Sequence, residues 1–221
     1  MENSSRLSLL YERPAAAVNL VGGHLCLDFV NSVGARRIGS SGEMSIRDEK
    51  LTDYVDLLAW GRHAGVLTHN QAQTLARESG RCKKEAAAVF RRAIRLREAL
   101  YLTFRAILLR KEPERLHLHM LNEELRLARE AEHLVFQKPH FAWYWSASNS
   151  SLELDRVVAS AVRSAAELLT QDDLTRLHKC AGDDCGWIFE DTSRNRGRRW
   201  CDMRDCGNVA KVRQFRRRQV S

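Results

Sequence analysis

Cys180-Ala-Gly-Asp-Asp-Cys185 and Cys201-Asp-Met-Arg-Asp-Cys206 are the two stretches that decide the fold of the C-terminal part of the chain. The two cysteine pairs have the same internal spacing, and each pair is followed by a glycine. Four thiolates that converge on one ion form the preferred tetrahedral ligand set of Zn²⁺ and leave no position open for water or substrate. We therefore predict one structural zinc ion, whose ligands are Cys180, Cys185, Cys201 and Cys206.

The alternative interpretation is four buried cysteines without a metal. The compartment in which we expect the protein helps to decide which chemistry its cysteines have. The early apolar run Leu7–Tyr11 is too short for a secretory signal. No stretch approaches the roughly 20 apolar residues that span a bilayer. We therefore expect a cytoplasmic protein without membrane contact, and in a reducing compartment closely paired cysteines favour a metal site over disulfides.

The residues around the cysteine pairs predict a small module. Gly186–Thr192 is typical of a strand, Ser193–Gly197 of a turn, and Arg198–Trp200 of a returning strand. After the last cysteine, Asn208 is a good N-cap residue for a helix. An apolar stripe on that helix is formed by Val209, Val212 and Phe215. The predicted order is knuckle, β-hairpin, knuckle and helix, which is like a treble clef.

Upstream of this module, the sequence predicts mostly helices. The clearest is Lys83–Lys111, where apolar residues recur three and four positions apart. Asp53–His63 has a similar pattern, and Thr68–Gln71 has the spacing of a capping box that begins another helix. Pro113 suits the first turn of a further helix that reaches about Ala131.

Shorter segments of the body predict small β elements. Leu20–Asn31 is apolar and short, which fits either a strand or one buried helix. Gly34–Gly42 is predicted to be a loop. His133–Gln137 and His140–Trp145 are rich in residues that favour strands and predict a hairpin.

The whole chain is therefore expected to be mainly α with small β elements. Residues 1–18 are predicted to be a loose arm, 19–173 an α-helical N-terminal domain, and 174–221 the zinc-binding module with its four cysteine ligands. Ser150 or Ser151 would cap the last helix of the α-helical domain.

The charge is concentrated at the C-terminus. The chain has 36 Lys and Arg against 28 Asp and Glu, a formal net charge of +8. From Arg194 onward there are ten basic and two acidic residues, so this segment carries the whole excess. A neutral body with a basic tail predicts a polyanionic partner. The candidate nucleic-acid contacts are Arg194, Arg196, Arg198, Arg199, Lys211, Arg213, Arg216, Arg217 and Arg218.

The module resembles the CGNR zinc finger, named after the Cys-Gly-Asn-Arg string at its last ligand. Cys206-Gly-Asn208 and the four cysteines carry the resemblance, and Val209 stands where the family name gives Arg. Further matching residues between the cysteine pairs are Trp187, Phe189, Asp191, Ser193 and the run Arg198–Cys201. The resemblance implies DNA binding and regulation, with Lys211 or Arg213 substituting for the missing arginine.

A second resemblance lies near the N-terminus. Leu25-Cys-Leu-Asp-Phe-Val-Asn31 is similar to the opening of the ABATE domain. That domain precedes this type of finger in proteins described as stress-induced transcription regulators. Together, the two resemblances span nearly the whole chain.

These observations favour a DNA-binding transcriptional regulator of the stress response. Its partner would be double-stranded DNA, and its α-rich body would form a homodimer or sense a small-molecule effector. The alternative is a zinc-stabilised protein-interaction or ligand-binding protein that does not bind nucleic acid. In the ligand-binding case, Asp28, Asn31 and Trp60 are candidate pocket residues. We expect no enzyme, because no catalytic constellation of Ser, His and Asp or of Cys and His can be assembled.

Overall fold

The computed structural model describes residues 10, 12–39, 43–145, 153–171 and 173–220. Its first part contains α1 (Leu25–Val30), β1 (Val33–Ile38), β2 (Met44–Glu49), α2 (Tyr54–His63), α3 (His69–Arg81) and α4 (Lys83–Leu108). There follow α5 (Arg115–Ala131), β3 (Glu132–Gln137), β4 (His140–Trp145) and α6 (Arg156–Leu169). The C-terminal part contains β5 (Leu177–Lys179), β6 (Ile188–Glu190) and α7 (Asn208–Val220). The mainly α fold with small β elements is thus confirmed.

The long amphipathic helix α4 is the centre of the core. Its apolar positions are buried as the periodicity predicts, and they include Val89, Ala93, Leu96, Leu100 and Phe104. Helices α1, α2, α5 and α6 pack around it and share one continuous cluster of buried side chains. The capping box at Thr68 and Gln71 is also confirmed, since both of its reciprocal hydrogen bonds are present.

Three antiparallel hairpins pair β1 with β2, β3 with β4, and β5 with β6 in the described part of the chain. Buried ion pairs fix the first one. The fully buried guanidinium of Arg97 on α4 binds Glu49 of β2 at 2.6 Å. Arg36 of β1, whose side chain is also buried, pairs with Glu98 of α4. Together, the two pairs hold this hairpin against α4.

The structure decides or corrects three local predictions. Of the two alternatives for Leu20–Asn31, the buried helix is confirmed as α1. Gly34–Gly42, predicted as a loop, begins with most of β1 because Val33 and Ala35 are buried against the core. Pro113 lies before α5, which begins at Arg115. The capping residues Ser150 and Ser151 lie outside the described residues.

The N-terminal arm is less loose than predicted where the structure describes it. Pro14–Ala17 forms one turn of 3₁₀ helix, and Ala15 is fully buried. Arg13 binds Asp53 and Asp56 at 2.8 Å, at the start of α2. Ion pairs and apolar contacts therefore attach this segment to the body.

The zinc module and the body share a hydrophobic core. Leu177 of β5 and Ile188 of β6 are 4% and 1% exposed and belong to the same cluster as the helices of the body. The division at residue 174 remains a prediction about chain organisation, but packing is continuous across it. No helix in the described residues has the length and hydropathy needed to cross a membrane.

Candidate metal centre and basic surface

The four predicted ligands meet at one point. The sulfur atoms of Cys180, Cys185, Cys201 and Cys206 all lie within 4.8 Å of one another. Cys201 Sγ is 3.6 Å from the sulfurs of Cys185 and Cys206. A tetrahedral ion with Zn–S bonds of about 2.3 Å requires sulfurs about 3.8 Å apart. The geometry therefore fits one structural zinc ion held by four thiolates.

Backbone groups around the sulfurs form the second layer of the site. The N–H groups of Gly182 and Cys201 donate to Cys180 Sγ at 3.4 and 3.3 Å. A Cβ at Gly182 would come within 3.3 Å of Cys206 Sγ, so a glycine lets the chain pass close to the cluster. Such bonds orient thiolates and lower the cost of their charge.

Gly186, the residue after the second ligand, lies in the left-handed backbone region that glycine tolerates. Its φ is +75°, and an added Cβ would lie 2.5 Å from the Arg36 carbonyl oxygen. The neighbouring Cys185 carbonyl accepts a hydrogen bond of 2.9 Å from the Arg36 N–H. Gly207, by contrast, lies in a helical turn at Met203–Gly207 and does not need positive φ.

Before metal binds, the clustered thiols do not ionise independently. Burial raises the pKa of Cys206, and the nearby charge of Cys180 raises it further. Hydrogen bonds from Cys185 and Cys201 lower the pKa of Cys180. Because zinc binds thiolates, loading the site releases the remaining protons.

The strand pairing in the module differs from the prediction. The strand predicted in Gly186–Thr192 is present as β6, but its partner is β5, so that Leu177 pairs with Glu190 and Lys179 with Ile188. The first cysteine pair therefore lies in the turn of this hairpin. Arg198–Trp200 forms no strand because the Arg198 side chain instead fixes the loop to the body.

The second cysteine pair lies at the start of the C-terminal helical segment. A single π-helical turn, Met203–Gly207, continues directly into α7. Asp202 is the N-cap residue, and its side chain accepts a hydrogen bond from the Arg204 N–H at 2.7 Å. Asn208, predicted as the N-cap, has helical φ and ψ and lies inside the helical segment. The ligand Cys206 therefore lies within a helical turn, from which its sulfur reaches the metal site.

Arg198 differs from the other candidate nucleic-acid contacts because its guanidinium is bound inside the protein. It donates to the carbonyls of Val21, Trp200 and Cys201, and its carbon lies 4.2 Å from the centre of the Phe189 ring. Its donors are therefore used in joining the module to the body. A contact between Arg198 and DNA has no support from this geometry.

The remaining candidate contacts are exposed, and Arg196 and Arg213 are among those that contact acidic residues. Arg196 lies 3.8 Å from Asp173, and Arg213 forms an ion pair with Asp183. Arg199 stacks near the Trp200 ring with its guanidinium carbon 5.2 Å from the ring centre. Further exposed cations are Arg194, Lys211, Arg216, Arg217 and Arg218. The basic surface is thus carried by α7 and the turn near Arg194.

Sequence reasoning missed further cations beside this surface. A cleft of about 910 Å³ lies between β1, the end of α4 and β5, and its lining includes Arg37, Arg105 and Lys179. Asp183 lines this cleft and also contacts Arg213 of α7, so the two basic areas are neighbours. These residues come from three distant parts of the chain, which no local sequence pattern could have indicated.

The apolar stripe predicted on α7 is present but does not pack inside the protein. Val209, Val212 and Phe215 are 47%, 48% and 62% exposed. Beside the stripe, a cleft of about 380 Å³ lies between α7 and the first knuckle and is lined partly by Trp187 and Val209. The helix therefore presents both basic and apolar side chains to solvent.

The three candidate pocket residues lie in packed parts of the body. Trp60 is fully buried, and its ring lies 5.2 Å from that of Phe29. Asp28 accepts a hydrogen bond of 2.8 Å from the Gly22 N–H. Asn31 is buried and binds the main chain of Ile188. The ligand-pocket role of Asp28, Asn31 and Trp60 stays a prediction, and the contacts that the structure shows for them are packing and main-chain contacts.

Comparisons with known proteins agree with this architecture. Residues 23–172 match the ABATE family, described as "Putative stress-induced transcription regulator", and residues 176–219 match the CGNR zinc finger. None of the curated proteins compared with the chain matches it. Because the first match covers more than half of the chain and is followed by the matching four-cysteine finger, the protein belongs to the ABATE family and carries a CGNR zinc finger.

Proposed function

We propose that this protein binds double-stranded DNA through the basic surface of its zinc finger and regulates transcription. The observation that carries the proposal is the placement of charge. The segment from Arg194 onward holds the whole excess charge of the chain. Within it, Lys211, Arg216, Arg217 and Arg218 are exposed on the helix that continues from the last zinc ligand. The metal centre would hold this helix rigidly against the body.

The expected contacts are mainly with phosphates. Even with two negative charges assigned to the zinc centre, the segment keeps a net charge of about +6. Each neutralised phosphate contributes a slope of roughly −0.9 to the dependence of log binding constant on log salt. An arginine of α7 that reaches a guanine edge in the major groove would add sequence preference. Arg105 and Lys179 would extend the phosphate contacts onto the body, whereas Arg37 forms an ion pair with Asp184.

The test begins with selection of duplexes by the purified zinc-loaded protein. Binding of the selected duplex is then followed by fluorescence anisotropy from about 50 to 300 mM salt. We expect the double variant Arg216→Ala, Arg218→Ala to reduce the salt slope by about 2 and to weaken binding at least about tenfold at roughly 0.1 M salt. The matched control Arg91→Ala, Arg95→Ala removes the same charge from exposed positions of α4 and should bind as the wild type.

Two results would overturn the proposal. One is that the zinc-loaded protein binds no duplex at about 50 mM salt, where electrostatic binding is strong. The other is that the α4 control weakens binding as much as the α7 variant, since binding would then depend only on total charge.

The exposed stripe of Val209, Val212 and Phe215 favours a second candidate, a zinc-stabilised module that binds another protein. Exposed apolar side chains that line up on one helix face are typical of protein interfaces. In that case the zinc-loaded protein fails to bind duplexes. On the DNA-binding proposal, Val212→Ser should leave the salt slope unchanged. Both candidates propose binding without catalysis and assign sensing or dimerisation to the α-rich body.

A further inference from the structure

The β3–β4 hairpin extends from the body, and one of its faces is apolar and exposed to solvent. At its base, Trp145 packs against the main core. Toward its tip, Leu134, Phe136 and Phe141 are 57%, 56% and 68% exposed. Phe136 and Phe141 pair across the two strands, and their rings lie 5.0 Å apart. The exposed aromatic pair is therefore preformed and continuous with the core.

We propose that this hairpin is a dimerisation arm whose apolar face packs against the same hairpin of a second copy of the chain. Edge strands of soluble proteins are usually protected against association by charged residues or proline. The strand β4 contains no Asp, Glu, Lys or Arg. No Asp, Glu, Lys or Arg side chain of this strand therefore opposes the close approach of a second copy.

The charge pattern selects a second copy as the partner. In a two-fold dimer the same patch of each copy meets the other. Any unpaired charge on the patch would therefore lie opposite the same charge on the second copy. The acidic residue in β3 is Glu132, which lies at the base and binds Arg163 of α6 at 2.7 Å. The apolar part of the face is therefore neutral and compatible with itself. The charged residue at the tip, Lys138, lies in the turn between the two strands and not on this face.

The area of the patch indicates the strength of the association. Leu134, Phe136 and Phe141 are each more than half exposed, which corresponds to about 100 Å² for each side chain. Two copies would bury about 600 Å² from these side chains and somewhat more with the strand backbone, which is the size of a weak, transient interface. The dimer should therefore form and dissociate with concentration in the micromolar range.

Analytical ultracentrifugation of the full zinc-loaded chain from about 1 to 200 μM tests the proposal. The wild type should shift from monomer to dimer across this range. The double variant Phe136→Ser, Phe141→Ser should stay monomeric, with dimerisation weakened at least about tenfold, while keeping its circular dichroism spectrum and zinc content. As a matched control, Leu116→Ser removes a side chain that is 58% exposed on α5 and should dimerise as the wild type.

Hydrogen exchange of the wild type gives a test that needs no variant. Protection of amides in residues 134–144 should increase with protein concentration, while exchange in α7 should stay the same. A wild type that is monomeric at the highest concentration overturns the proposal, as does a folded double variant that dimerises like the wild type. Concentration-dependent protection confined to another surface would assign the interface elsewhere and also overturn it. None of these outcomes depends on DNA binding.

Discussion

Asn31 and Ile188 join the body to the zinc module through both polar groups of one side chain. The Asn31 amide donates to the Ile188 carbonyl at 2.8 Å, and its oxygen accepts from the Ile188 N–H at 3.0 Å. The two residues lie 157 positions apart in sequence and are both buried. A buried strand residue thus has its main-chain groups satisfied by a side chain from the end of α1.

Asn31→Ala should destabilise the whole protein. The substitution leaves two buried main-chain groups without partners, at a cost of about 1 to 3 kcal/mol each. We expect the free energy of unfolding, measured by urea denaturation of the zinc-loaded protein, to fall by about 3 kcal/mol. Asn122→Ala, at an exposed position of α5, is the control and should change it by less than about 0.5 kcal/mol. A fall no larger than in the control would show that this contact does not stabilise the protein.

Metal removal should affect the body as well as the module. A module without contacts to the body would unfold without changing the stability of the body. Here, however, Leu177 and Ile188 of the module belong to the main core. Trp187 Nε1 also donates to the Val33 carbonyl at 2.8 Å. Loss of these contacts should cost several kcal/mol, which lowers the melting temperature of a chain of this size by about 10 °C.

The measurement is thermal unfolding followed by far-ultraviolet circular dichroism, with zinc-loaded wild type compared with Cys201→Ser and with chelator-treated protein. Cys82→Ser, which changes a cysteine outside the cluster, should melt close to the wild type. If Cys201→Ser and the chelated protein keep the melting temperature of the body, the two parts fold independently.

Local signals made much of this fold predictable, and distant pairings made the rest unpredictable. The α4 periodicity, the Thr68 capping box and the cysteine spacing are each contained in a short stretch of sequence. The pairing of β6 depends on β5, which lies before the first knuckle and has only three residues. The Arg198–Trp200 segment resembled a returning strand because neither the true partner nor the contacts of Arg198 are visible locally.

Arg198 and Arg199 illustrate the same limit for the candidate site. In sequence they are adjacent and chemically identical, yet Arg198 is half-buried and Arg199 is exposed. The acceptors of Arg198 include the Val21 carbonyl, which is 177 positions away. Only the three-dimensional structure separates the arginine that holds the loop from the one that faces solvent.

Arg198→Lys should therefore reduce stability rather than act only on DNA affinity. Lysine keeps the charge but lacks the planar group that stacks on Phe189 and donates to several carbonyls at once. We expect the free energy of unfolding to fall by about 2 kcal/mol in urea denaturation. Arg199→Lys should be close to neutral in the same measurement. A fully stable Arg198→Lys variant with weakened duplex binding would instead place Arg198 among the DNA contacts.

Asp28 should make stability depend on pH in a range that few other carboxylates affect. Burial raises the pKa of its carboxyl to about 6, while the hydrogen bond from the Gly22 N–H opposes this shift. Because the pKa is higher in the folded than in the unfolded chain, proton uptake stabilises the fold. This contribution is complete below about pH 4 and is lost as the pH rises through about 6.

Asp28→Asn removes this titration but keeps an oxygen that can accept from Gly22. At about pH 7.5 the variant should be more stable than the wild type by about 3 kcal/mol, since the pKa of Asp28 is raised by about two units and each unit corresponds to about 1.4 kcal/mol. Between about pH 6 and pH 4 the difference should shrink toward zero, as urea denaturation at several pH values can show. The control Asp53→Asn changes the half-exposed carboxyl of the N-cap residue of α2 and should leave the wild-type profile in this range. Parallel profiles for wild type and Asp28→Asn would mean that Asp28 titrates normally in the folded protein.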